Sequence, residues 1–81
     1  MKRTKFEKQR EVRIIIEKLT ELKLTMIYEP IRELFKLLHT YVHADSSIRI
    51  DIEFPEIHKR IVGYLPIEKK NECVVKLENV R

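Results

Sequence analysis

The spacing of apolar residues changes once along this chain. Val12, Ile15, Ile16, Leu19 and Leu22 recur at steps of three and four. At about 100° per residue they form one stripe, which predicts an amphipathic helix over about 8 to 24. Arg10, Arg13, Glu17 and Glu21 lie opposite that stripe. The stretch LTMIYEP, residues 24–30, then interrupts the pattern. Pro30 suits the first turn of a second helix, where its missing N–H costs nothing. A single helix kinked at Pro30 is the alternative. Ile31, Leu34, Phe35, Leu38, Tyr41 and Val42 share a wide apolar face, with Arg32, Lys36, Thr40 and His43 off it. That predicts a second helix over about 29 to 44. Paired as a hairpin, the two helices bury their stripes and gain about 25 cal/mol per Å² of apolar area.

After Ala44-Asp45-Ser46-Ser47 the period falls to two. Ile48, Ile50, Ile52 and Phe54 alternate with Arg49, Asp51 and Glu53, a strand with one buried and one charged face. Cys73, Val75 and Leu77 alternate with Val74, Lys76 and Glu78, a second strand. The segment between them reads two ways. Ile57, Ile61, Tyr64 and Leu65 fit a helix, whereas Arg60 to Leu65 fits a strand. A crossover helix would leave two parallel strands alone, and two strands make a weak sheet. The strand reading is therefore preferred. The expected fold is α+β: an N-terminal two-helix hairpin packed on a small three-stranded antiparallel sheet. It forms one domain, with a basic helical arm at 1–10, the hairpin at 11–44 and the strands at 47–80.

Size and composition narrow the options. A domain of 81 residues forms only a thin core. Cys73 is the only cysteine, so no disulfide forms within the chain and no zinc ribbon is built from cysteines. The first residues are charged and no apolar run follows, which points away from a secretory signal and toward an intracellular, cytoplasmic protein. Lys and Glu are abundant, while Asn71, Asn79 and Gln9 are the only side-chain amides. That balance is the hyperthermophile pattern, so a thermophilic source, cellular or viral, is expected.

The net charge of +4 is local. Residues 1–13 hold Lys2, Arg3, Lys5, Lys8, Arg10 and Arg13 against Glu7 and Glu11, and the rest of the chain is balanced. Cations at a helix N-terminus oppose the macrodipole by about 0.3–1 kcal/mol each. Lys5 and Lys8 continue the line of the apolar stripe, so the core is expected to stop there and the arm to protrude. Such an arm suits the phosphate backbone of DNA or RNA; the plainer alternative is a solvated terminus. No zinc-finger spacing, aromatic RNA-binding signature or Gly-rich phosphate loop accompanies it. The six cations are thus the candidate nucleic-acid ligands.

Other chemistry is sparse. HTYVHAD places His39 and His43 one helical turn apart, a metal-ligand spacing. Two ligands do not make a zinc site, and nothing in the spacing requires Asp45, His58 or Cys73 to join them. Two histidines near a helix C-terminus also serve its last carbonyls. A small nuclease could use His43 or His58 as general acid or base. Asp51 and Glu53 are explained as the wet face of a strand. No metal, cofactor or catalytic residue is assigned. The last strand has few edge-protecting devices, and Phe6, Ile14 and Val74 are apolar off the main faces. These favour a homodimer or another protein partner, an adaptor or inhibitor, as the main rival to nucleic-acid binding. The expected protein is a non-enzymatic accessory or regulatory factor.

Overall fold

Thr4 starts the first helix. In the computed structural model, which describes residues 1–80, α1 spans Lys5–Glu21. The Thr4 hydroxyl accepts from the Glu7 backbone N–H at 3.2 Å, and the Glu7 carboxylate accepts from the Thr4 N–H at 3.1 Å. This reciprocal capping box satisfies two donors that a helix start leaves unpaired. The Thr4 backbone N–H, then Lys69, hold the Glu7 carboxyl below its ordinary pKa. Leu22 caps the other end, and Lys23 turns the chain in the left-handed region at φ 61°. A 3-10 turn, Leu24–Met26, leads into α2, Tyr28–His43. Pro30 sits in the first turn of α2, so the kinked single helix is not formed.

The sheet is an antiparallel meander of β1 (Ile48–Phe54), β2 (Lys59–Leu65) and β3 (Val74–Asn79), in that spatial order. The segment that read two ways is thus the central strand. A 3-10 turn, Pro55–Ile57, and left-handed His58 at φ 53° link β1 to β2. Ile52 pairs with Ile61 and Ile61 with Leu77, so the apolar residues of all three strands share one face. That face meets the helices. Tyr41, Phe54, Leu34 and Leu65 are completely buried at its centre. Arg49, Asp51 and Glu53 of β1, Tyr64, Val62 and Arg60 of β2, and Val74, Lys76 and Glu78 of β3 form the opposite, wet face.

Gly63 lies between Ile50 and Val75 in the register. A Cβ there would come within 2.5 Å of the Val74 carbonyl oxygen and 3.1 Å of Val75 Cγ2. The close approach of β3 to β2 depends on that missing carbon.

Three expectations need correcting. The first helix begins and ends about three residues earlier than its apolar stripe predicts, because the polar capping box fixes its start. Leu22 and Phe35, assigned to the buried stripes, are 50% and 39% exposed. Residues 1–10 do not protrude. Lys2 bridges Glu68, the Arg3 N–H donates to the Ile67 carbonyl at 2.7 Å, and the Lys69 N–H donates to the Met1 carbonyl at 2.8 Å. The N-terminus therefore lies along the β2–β3 connection, whose Pro66 and Ile67 are buried.

Candidate nucleic-acid interface

The six cations proposed as nucleic-acid ligands divide into two sets. Arg3 is a clamp: its Nη1 donates to the carbonyls of Pro66 at 2.8 Å and Glu68 at 2.6 Å, and Nη2 donates to that of Asn71 at 2.6 Å. Lys8 is only 6% exposed. Its Nζ donates to the Ala44 carbonyl at 2.8 Å and lies 5.8 Å from the Tyr41 ring centroid. A cation there meets the negative end of α2 and an aromatic face, which offset its lost hydration. Lys2 pairs with Asp45 at 3.2 Å, both side chains exposed, an interaction worth about 0–1 kcal/mol. These three cations serve the fold first.

Lys5, Arg10 and Arg13 are exposed, and among the described residues they make no ion pair. Arg10 stacks over Phe6, guanidinium to ring centroid 5.3 Å. Lys5, Gln9 and Arg13 follow one another at four-residue steps, so they share one ridge of α1. That ridge runs beside α2. A shallow groove between the helices is lined by Gln9, Val12 and Ile16 from α1 and Phe35, His39 and His43 from α2. A second depression on α2 adds Arg32, Lys36 and Thr40. Among the described residues, no carboxylate lines either one. Arg32 and Lys36 also line a third depression, together with Glu29 and Glu33.

His39 and His43 stand with ring centroids 4.4 Å apart. Partial desolvation, then the charges of Lys5, His39 and Lys8, push the His43 pKa below the ordinary imidazole value. At neutral pH the ring is uncharged and still offers an N–H. A bound anion would raise its affinity for a proton.

The other candidate chemistries do not assemble. Among the described residues, no three His, Cys, Asp or Glu side chains converge to hold a metal ion. Asp45 is turned to Lys2. His58 sits at the opposite end of β1 from the α2 C-terminus. Cys73 lies 3.8 Å from the Tyr41 hydroxyl, and burial raises its thiol pKa above the ordinary value. It is a protonated, weakly nucleophilic thiol. Burial likewise raises the Tyr41 pKa, and the hydroxyl donates to the Pro66 carbonyl at 3.0 Å. Asp51 and Glu53 are held by Arg60, at 3.1 and 3.5 Å.

The reading of the N-terminal charge missed the α2 half of this surface. The signal was present: Arg32–Lys36 and His39–His43 are each four apart, as are Lys5, Gln9 and Arg13. Among the described residues, no helix is long and apolar enough to cross a membrane. The molecule belongs to the small α+β class, a helical hairpin over a three-stranded meander. No family model, curated protein or solved structure matches the chain.

Proposed function

We propose that this protein binds the phosphate backbone of nucleic acid along the outer surface of its helical hairpin. The ligands are Lys5, Arg10 and Arg13 of α1, joined by Arg32, Lys36 and the His39–His43 pair of α2. The observation that carries the reading is that none of the described carboxylates lines the two adjoining depressions, in a chain with 13 acidic residues. Within those two depressions a polyanion meets no like charge from the described residues, and Gln9 and Thr40 add neutral hydrogen-bonding groups. Base-specific contacts are not part of the proposal. Affinity comes from counterion release and falls steeply with salt. The role is non-enzymatic, that of an accessory or regulatory factor.

The test is titration of labelled duplex DNA and single-stranded RNA at low and physiological salt. The double variant Lys5→Glu/Arg13→Glu should keep its circular dichroism spectrum and lose at least tenfold in affinity. Lys2→Ala should bind like the wild type. Binding that is absent at low salt, or indifferent to the double reversal, overturns the assignment.

A further inference from the structure

β3 is an edge of the sheet, and among the described residues one flank of its backbone has no strand paired to it. Its wet face carries Lys76 and Glu78, which among the described residues make no ion pair within the chain. Glu78 stands opposite Arg60 in the register, yet the Arg60 guanidinium turns away to Asp51 and Glu53. On the other face, Val75 and Leu77 are only half-buried. They continue into an apolar groove whose α1 wall includes Ile14 and Leu22, 54% and 50% exposed. Edge, unpaired charges and groove lie side by side.

We infer that β3 pairs antiparallel with β3 of a second copy, making a two-fold dimer with a continuous six-stranded sheet. The charges select the occupant and the register. Opposed residues in an antiparallel pair lie on the same face. With Leu77 opposite Leu77 of the second copy, Lys76 faces the second copy's Glu78, and the symmetry repeats that pair. Shifting the register so that residue 76 meets its own copy sets Lys76 against Lys76. The opposite shift sets Glu78 against Glu78. Both place like charges directly across the strands, which is destabilising. Only the Leu77-centred register satisfies both charges, joins the two Leu77 side chains and extends the apolar groove into the second copy. An isologous contact of this kind closes after two chains and leaves no β3 edge. The β1 edge lacks the same opportunity, because Asp51 is held by Arg60 and Arg49 stacks on Tyr64 at 5.0 Å. The inference is independent of nucleic-acid binding.

The experiment is sedimentation equilibrium of the full chain over a concentration series, free of nucleic acid. A mass twice that of one chain is expected. Lys76→Glu alone and Glu78→Lys alone should each weaken association about tenfold or more. The combined swap Lys76→Glu/Glu78→Lys should restore it, and that restoration excludes simple misfolding of the single variants. In a Cys73→Ser background, Leu77→Cys should oxidise to a covalent dimer, since directly opposed strand positions bring the Cα atoms within disulfide range. A chain monomeric at all concentrations overturns the inference. So does a dimer indifferent to both single reversals, or one that the swap fails to restore.

Discussion

Replacing Arg3 with alanine separates a structural cation from a ligand-binding one. In the folded chain its guanidinium donates to three carbonyls, those of Pro66, Glu68 and Asn71. Hydrogen bonds from a charged donor are worth about 1.5–3 kcal/mol each. Simple addition overstates the effect. Nη1 serves two of the acceptors, Asn71 is exposed so water replaces the guanidinium there, and the Pro66 carbonyl keeps the Tyr41 hydroxyl. The backbone bond from residue 3 to Ile67 also survives. The net loss should be about 2–3 kcal/mol. In a domain of this size that lowers the melting temperature by about 8–24 °C. Urea unfolding should show the same loss as a lower midpoint at unchanged slope. Arg3→Lys should recover less than half, because an ammonium cannot fork across the carbonyls. Affinity for DNA or RNA, measured well below the variant's melting temperature, should stay within about twofold of wild type. A protruding ligand arm requires the reverse: stability within about 0.5 kcal/mol of wild type, as for surface substitutions, with binding lost. That result would refute the clamp.

Gly63→Ala should cost about 2–4 kcal/mol by thermal or urea unfolding, because the added carbon meets the Val74 backbone oxygen and Val75 rather than a movable side-chain tip; a loss below about 1 kcal/mol would contradict the close approach. Lys23→Gly should raise stability by about 1 kcal/mol, since the left-handed backbone at that position burdens any residue with a Cβ; unchanged or lower stability in urea unfolding would count against it. The His43 pKa is depressed on folding, so the unfolded chain takes up that proton at higher pH. Its contribution to stability is therefore complete above about pH 6.5 and is lost as the pH falls through the folded value. His43→Gln should flatten that part of the urea-measured stability profile, and an unchanged slope would remove His43 as its source. The Lys- and Glu-rich, amide-poor composition predicts a calorimetric midpoint above the mesophile range of about 45–65 °C, and a midpoint inside that range would remove the thermophile reading.

The helices and strands were legible because their signal is periodic and strong. Ile48, Ile50, Ile52 and Phe54 alternate without a break, and β1 spans all four. The central strand was harder to read, since Ile61, Tyr64 and Leu65 suit either period; only the need for a third strand decided it. The start of α1 was misread for a physical reason. The cations there oppose the helix dipole, but Thr4 and Glu7 supply the opposing cap, and that four-residue signature was in the sequence. The fate of Arg3 was not legible. Its partners are main-chain carbonyls more than sixty positions away, and a carbonyl has no residue signature. Lys8 was hidden in the same way, because its acceptor is the Ala44 carbonyl. The α2 half of the proposed surface was legible in the spacing but masked by a balanced net charge. Arg32 and Lys36 are offset by Glu29 and Glu33 in a tally; they share one depression with those carboxylates and a second with Phe35, His39 and Thr40.

The concentration of charge at the N-terminus thus has two causes, and they are separable in space. One corner of the fold gathers carbonyls: the end of α2 at Ala44 and the β2–β3 connection at Pro66, Glu68 and Asn71. These acceptors lie outside the helix and strand ladders; the Tyr41 hydroxyl and the Asn71 N–H reach two of them, and the demand left over is met by cations from the N-terminal segment. Lys8 and Arg3 answer it, and neither is free to follow a ligand. Lys5, Arg10 and Arg13 answer no such requirement, which is why the proposed interface rests on them. The inferred β3 pairing bears on that interface through symmetry alone. Opposed residues share a face, so the two-fold axis stands perpendicular to the sheet and both helical layers lie on one side of it. The two hairpins then present their basic surfaces in the same direction. A long nucleic acid held by one copy would meet the second at a high effective concentration, so a modest affinity per copy would suffice for the proposed dimer.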